Sequence, residues 1–203
     1  MKKELIFSII IPTYNRSRYL QRCLDSILYD TSEFYEIIVS DNASPDDTEE
    51  VIQKYLHHSQ LRYFRNQTNL GARENIYKAT RYAQGQYIFW LSDDDYLLPD
   101  TLSKIIQIIH IHPQVGYIYS PIVTIDDRNG KLFCRRDDFH KNTLIEADLK
   151  NLLQVMSSAH VFSRQILKKD LIDWKLWDDN KENAYFMIIL VEREIFYVVV
   201  CTI

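Results

Sequence analysis

The sequence predicts an α/β fold, a doubly wound and mostly parallel sheet flanked by helices, on three observations. Short apolar runs alternate with amphipathic helical patterns from residue 5 to about residue 120, as repeated βαβ units require. The run Tyr87-Ile88-Phe89-Trp90-Leu91 leads into three consecutive carboxylates, Asp93, Asp94 and Asp95. Ligands of open α/β sheets sit beyond the carboxyl ends of the strands, which is where these acids fall. Finally, none of the four glycines builds a GxGxxG or GxxxxGK[ST] loop, which disfavours a nicotinamide enzyme or a P-loop NTPase.

The elements follow in order. A first strand over Leu5–Ile11 stops at Pro12. Ser17 can cap a helix whose apolar face is Leu20, Cys23, Leu24, Ile27 and Leu28. A second strand, Tyr35–Ser40, ends on Asp41-Asn42. Ser44-Pro45-Asp46-Asp47 reads as N-cap, proline at N1 and an acid at N3 of a helix carrying Val51, Ile52, Tyr55 and Leu56. A third strand over Leu61–Arg65 precedes a polar loop and a helix from Ala72 to Gln84, with Gly85 placed as a C′ glycine. After the acidic cluster, Pro99-Asp100 opens a helix over Thr101–Ile111, and Val115–Ser120 returns to strand.

The second half is less regular. Ile122–Asp126 and Lys131–Arg135 flank Arg128-Asn129-Gly130, a hairpin turn. Helical patterns fall near Ala147–Val155 and Arg164–Asp170, and His160–Phe162 reads as a short strand. A helical pattern at Glu182–Leu190 precedes a strand at Ile195–Val200. No repeat or linker divides the chain, so residues 1–203 read as one domain: a first half to about residue 120 and a smaller mixed half from about 121 to 203.

Composition narrows the function classes. Apolar residues make up 46% and charged residues 26%, with a net charge of −4, so bulk charge does not suggest a nucleic-acid binder. Cys23, Cys134 and Cys201 are far apart and odd in number. They predict neither a disulfide framework nor a zinc site and fit a reducing, cytoplasmic compartment. The apolar runs at the two ends are too short to span a bilayer, and no signal-peptide cleavage pattern follows the first.

Four stretches then converge. Phe7-Ser8-Ile9-Ile10-Ile11-Pro12-Thr13-Tyr14-Asn15-Arg16 and Glu36-Ile37-Ile38-Val39-Ser40-Asp41-Asn42-Ala43-Ser44 resemble the opening motifs of family 2 glycosyltransferases, which have the GT-A fold. Asn69-Leu70-Gly71-Ala72-Arg73-Glu74-Asn75 resembles the third motif of that family. Leu91-Ser92-Asp93-Asp94-Asp95 with Pro99 resembles its metal-binding DXD site. The resemblance covers residues 5 to 120 in order and spacing.

The resemblance implies roles. Asp94 and Asp95, with Asp93 beside them, would hold Mn²⁺ or Mg²⁺, since hard carboxylate oxygens suit such ions. Ser92 stands where a sharper DXD motif would carry a carboxylate. Asp41 would read the nucleotide base; as an ionised acceptor it suits the imide N–H of uracil or thymine. Pro12, Thr13 and Tyr14 would wall the base and ribose, Arg16 or Arg73 would approach the phosphates, and Asp93 would contact the donor. Asn69 and Asn75 are assigned to loop and helix-end structure. Transfer with inversion needs a carboxylate base. The family takes it from an acidic pair before a helix, here Glu182-Asn183, so Glu182 is the candidate, with Asp178 or Asp179 behind it.

The expected activity is metal-dependent transfer of a sugar from a nucleotide-diphosphate sugar, UDP or dTDP, to an acceptor hydroxyl. The partners would be this donor and a glycan or lipid-linked acceptor in cell-surface polysaccharide or glycolipid synthesis, with peripheral association at the inner face of a membrane. The alternative is a catalytically inactive or truncated nucleotide-binding module. Asn183, an amide in the second acidic position, and an end inside an apolar strand both favour it.

Overall fold

The computed structural model describes residues 5–30, 33–119, 122–136, 143–147, 165–172, 174–179 and 196–200. The first half alternates as its apolar periodicity demands: β1 (Phe7–Thr13), α1 (Ser17–Leu28), β2 (Tyr35–Asp41), α2 (Thr48–Gln53), β3 (Leu61–Arg65), α3 (Ala72–Arg81), β4 (Tyr87–Trp90), α4 (Thr101–Ile111) and β5 (Val115–Tyr119). A hairpin of β6 (Ile122–Ile125) and β7 (Leu132–Arg136) follows. Then come β8 (Thr143–Ala147), β9 (Gln165–Lys168), a 3₁₀ turn (Lys169–Leu171), α5 (Trp174–Asp179) and β10 (Phe196–Val200).

The described strands outside the hairpin form one sheet in the order β3-β2-β1-β4-β9-β5-β10-β8. β1 pairs in parallel with both β2 and β4, β2 with β3, and β5 with β10. β9 runs antiparallel between β4 and β5, and β8 runs antiparallel along β10. The sheet is therefore mostly parallel, as expected. The middles of its central strands are apolar because both faces are covered: Ile9, Ile10, Ile11, Ile37, Ile38 and Val39 are all buried. α1 presses Leu20, Cys23, Leu24 and Ile27 into the core. Trp90 is also buried, its indole N–H donating to Thr80 Oγ1 at 3.0 Å. Among the described residues, no helix is long and apolar enough to cross a membrane.

Several local expectations change, among them the end of β1, which runs through Pro12 to Thr13 in register with Ser40 and Asp41. The helical pattern at Arg164–Asp170 is a strand, β9, followed by the 3₁₀ turn. The slot between β4 and β5 buries Ile166 and Leu167, and this pairing overrides the weak local pattern. α2 begins at Thr48 rather than just after Ser44, because Ser44 and Asp46 are engaged with the neighbouring β1–α1 loop. Gly85 is not a C′ glycine, since α3 ends at Arg81. A Cβ at residue 85 would lie 2.5 Å from the Phe7 carbonyl carbon and 2.6 Å from the Ser8 nitrogen, so glycine permits close approach to β1. The expected hairpin is present, with Gly130 at φ +68°. The helix expected at Glu182–Leu190, the strand at His160–Phe162 and residues 148–155 lie outside the described residues.

Candidate functional site

The parallel register brings the ends of three strands level: Thr13 on β1 pairs with Asp41 on β2, which pairs with Arg65 on β3. Beyond them the chain turns sharply, with left-handed backbone at Asn15 (φ 57°) and Ala43 (φ 63°). Such conformations persist only where the surroundings hold them. Here the Asn15 N–H donates to Ser44 Oγ at 2.9 Å. Asp46 accepts the Ser17 N–H at 2.9 Å, satisfying a first-turn donor of α1 from the opposite loop. The two loops above β1 and β2 are thus bonded to each other.

The acidic loop enters from the other side. The Leu91 N–H donates to the Ile10 carbonyl at 2.9 Å, extending the β1–β4 ladder by one residue and raising Asp93 beside Thr13. Asp93 is buried. Its Oδ2 accepts from Thr13 Oγ1 at 2.7 Å, and its Oδ1 lies 3.2 Å from Arg16 Nη1. The same nitrogen donates to Asp94 Oδ2 at 2.8 Å, and the Ser92 hydroxyl donates to Asp94 Oδ1. Asp94 and Arg16 are about half exposed. Burial pushes the Asp93 carboxyl above its usual range, while the Thr13 hydrogen bond and Arg16 act against that shift. Burial also raises the Cys23 thiol well above its usual range, with the Asp93–Asp95 charges adding to it; this sulfur, 3.7 Å from the Ser92 carbonyl, is core rather than nucleophile.

On the β2 side, Asp41 has no exposed surface. Oδ1 accepts the Ser44 N–H at 2.8 Å. Oδ2 accepts from the Tyr63 hydroxyl at 2.9 Å and from Arg65 Nη1 at 2.6 Å. Arg65 Nη2 also donates to the Ser44 carbonyl at 2.9 Å. The carboxylate expected to meet a base directly is therefore already engaged. Neither Arg65 nor Tyr63 was anticipated. The available signal was positional, since Arg65 ends a parallel strand as Asp41 ends the one beside it.

An amide network fixes the neighbouring loop. Asn75 Nδ2 donates to the Ser40 carbonyl at 2.9 Å, and its Oδ1 accepts from Ser40 Oγ and Asn66 Nδ2. Asn42 Nδ2 donates to Asn69 Oδ1 at 2.7 Å, and Asn42 Oδ1 accepts the Leu70 N–H at 2.9 Å. Asn69 and Asn75 thus have the structural roles expected of them. Arg73 stands half-buried in the first turn of α3, while Pro12 is half-buried and Tyr14 exposed at the end of β1. Trp174 packs edge-on against Tyr77, with Arg81 4.3 Å over its ring. Glu182 lies outside the described residues.

Among the described residues, no three His, Cys, Asp or Glu side chains form a ready metal cluster. Asp93 and Asp94 carry hard carboxylate oxygens of the kind a divalent cation takes, but one oxygen of each is paired with the Arg16 guanidinium, which such an ion would have to displace. An ion taking such oxygens completes its shell with water and substrate phosphate.

The family model for glycosyl transferase family 2 matches residues 8–171. A Campylobacter jejuni protein named GalNAc(5)-diNAcBac-PP-undecaprenol beta-1,3-glucosyltransferase is 29% identical over 94% of this chain and 61% of its own length. Staphylococcus aureus TarS, solved with UDP-GlcNAc, superposes with a TM-score of 0.74 at 22% identity, over 97% of this chain and 56% of the TarS chain. The Pyrobaculum calidifontis mannosyltransferase PcManGT, solved with GDP-Man and Mn²⁺, superposes with a TM-score of 0.57 at 19% identity, over 84% of this chain and 46% of its own. The chain spans 38–42% of the length of three other curated relatives that it matches. These two superpositions establish a shared GT-A architecture, and by its family match the chain belongs to glycosyl transferase family 2.

Proposed function

We propose that this chain binds a nucleotide-diphosphate sugar, with UDP or dTDP as carrier, and transfers its sugar with inversion to an acceptor hydroxyl. The observation that carries the reading is the Thr13–Asp93–Arg16–Asp94 constellation at the carboxyl ends of β1 and β4. It sets paired carboxylates and a cation beside the end of a parallel sheet, where a charged diphosphate can be held. The UDP-GlcNAc complex of TarS supports a nucleotide-sugar donor.

In this reading Pro12, Thr13 and Tyr14 wall the nucleoside, Asp41 anchors the base side, and Arg16 and Arg73 face the diphosphate. Asp93, Asp94 and Asp95 would hold Mg²⁺ or Mn²⁺ together with donor phosphate oxygens. When bound, the cation neutralises charge on the departing diphosphate. Glu182 takes the proton of the acceptor hydroxyl as its oxygen bonds to the anomeric carbon. The carbon–phosphate-oxygen bond breaks with its electron pair leaving on the nucleoside diphosphate. The acceptor is a glycan or lipid-linked saccharide of cell-surface polysaccharide or glycolipid synthesis, met by peripheral association at the cytoplasmic face of a membrane. The PP-undecaprenol in the Campylobacter relative's name supports that choice. Asn183 favours a second reading, donor binding without turnover.

The test is calorimetric titration of UDP, dTDP, GDP and ADP with and without Mn²⁺, on wild type and Asp94→Ala. The expected result is Mn²⁺-dependent binding of a pyrimidine diphosphate, weakened about tenfold or more in the variant. A folded protein that binds no nucleotide overturns the donor-site reading. Free UDP released from UDP-sugars in an acceptor-containing assay separates a transferase from a binding module.

A further inference from the structure

We propose that Arg65, held in place by Asp41, reads the base of the donor. It donates to the 4-carbonyl of the pyrimidine and so selects uracil or thymine over cytosine. This rests on the donor-site reading above and names the residue through which its base preference acts.

Three observations lead to it. Asp41, the acceptor that would suit an imide N–H, has no exposed surface, and its oxygens already take the Ser44 N–H, the Tyr63 hydroxyl and Arg65. A base entering the site would have to displace one of these donors to reach it. Arg65 is the next group outward. Its side chain is 36% exposed, and it stands at the end of β3 level with Asp41 and Thr13. Two of its five N–H donors are directed to Asp41 and the Ser44 carbonyl, and the Tyr63 hydroxyl also lies against it; together these hold the guanidinium, whose five donors exceed these partners. Glu49 lies 3.8 Å from Nη1 on the solvent side and adds a weak electrostatic hold.

The chemistry of that fork sets the preference. A guanidinium only donates. At position 4, uracil and thymine offer a carbonyl oxygen, whereas cytosine offers an amino group with no acceptor to give. A site arranged to donate there rejects the wrong edge, since neither partner's hydrogen-bonding group is then satisfied. Asp41 is a positioning residue in this scheme: with Tyr63 and the Ser44 N–H around it, it anchors the arginine without touching the base. This differs from an Asp41 that accepts the imide N–H itself, and the two are separable.

The experiment is calorimetric titration of UDP and CDP, in Mn²⁺-containing buffer, on wild type, Arg65→Met and Arg65→Lys. The two nucleotides have the same size and phosphates and differ only on the edge in question. Wild type is expected to bind UDP about tenfold or more tighter than CDP, the partial exposure of Arg65 keeping the ratio below that of a fully buried site. Arg65→Met is expected to bring the two within about twofold of each other. Arg65→Lys keeps a cation for Asp41 but loses the fork, and should fall between. A folded Arg65→Met or Arg65→Lys protein with the wild-type ratio overturns the proposal and returns base reading to Asp41; so does a wild type that binds UDP and CDP equally. In both cases UDP binding itself survives, so the donor-site reading stands. Binding of neither nucleotide by folded wild type removes both.

Discussion

Thr13 Oγ1 stands 2.7 Å from Asp93 Oδ2, a buried bond between residues 80 apart in sequence that ties the end of β1 to the acidic loop after β4. A hydrogen bond to a carboxylate contributes about 1.5–3 kcal/mol. Thr13→Val keeps the shape of the side chain and removes the donor. The expected loss of stability is of that size by chemical denaturation, accompanied by weaker donor binding. A loss below about 0.5 kcal/mol would mean that the bond contributes little to either.

Asp93 makes the pH dependence directional. Burial raises its folded pKa, with Thr13 and Arg16 opposing. A carboxyl raised above its unfolded value, about 3.9, lowers stability at neutral pH, and that penalty is relieved as pH falls through the raised value. Asp93→Asn should therefore melt no lower than wild type at pH 7 while losing donor affinity about tenfold or more. Thermal melts at pH 7, 5 and 4 should show the gap between variant and wild type narrowing with acidification. A gap that widens would show that the Arg16 pairing outweighs the burial.

Gly85→Ala tests the packing of α3's exit against β1. The added methyl meets backbone atoms of Phe7 and Ser8 at 2.5–2.6 Å, and backbone cannot rotate away as a side chain can. It would also disturb the Gly85 N–H bond to Ser8 Oγ, 2.8 Å, and the Gln84 N–H bond to Glu36. Overpacking of this kind costs about 1–3 kcal/mol or more. A helix-ending role alone would give a smaller effect, so the size of the change in a urea melt distinguishes the two.

Glu182→Gln addresses the base. If Glu182 takes the acceptor proton, UDP-sugar turnover should fall by about 100-fold or more while calorimetric UDP affinity stays within about twofold. Unchanged turnover would move the base elsewhere, with Asp178 the next residue to replace.

Much of this architecture was legible because its signals are local. The strands from β1 to β5 follow local apolar runs, although β1 continues through Pro12 to Thr13 instead of stopping at the proline, and α1, α3 and α4 carry their core faces at helical spacing. The acidic loop announced itself as three carboxylates after a buried strand. What was not legible depends on pairing across the sheet. β9 is four residues long, Gln165–Lys168, and its pattern is too short to choose between helix and strand; only the slot between β4 and β5 decides. The same holds for the base side of the site. Asp41 was visible as a carboxylate at a strand end, but its engagement by Arg65 and Tyr63 follows from the β2–β3 register, which the sequence does not state. Asp46 does meet the start of its own helix, accepting from the Thr48 N–H and hydroxyl, but its other oxygen serves α1 from another loop, which a reading limited to neighbours in the chain does not show.

The insertion of β9 between β4 and β5 also governs the order in which this protein can be made. During synthesis, β1 to β4 emerge early and can pair at once, but β4 then waits with one edge bare until residues 165–168 leave the ribosome. β5, completed at Tyr119, has no sheet neighbour before that moment, since it meets β9 on one side and β10 on the other. A nascent chain halted near residue 120 thus carries an apolar strand edge open to other chains, with the attendant hazard of edge-to-edge association. Trp90, at the end of β4 that leads into the acidic loop, pairs with Gln165 on that late-closing seam, so this end of the strand is edged only once residues 165–168 have been made.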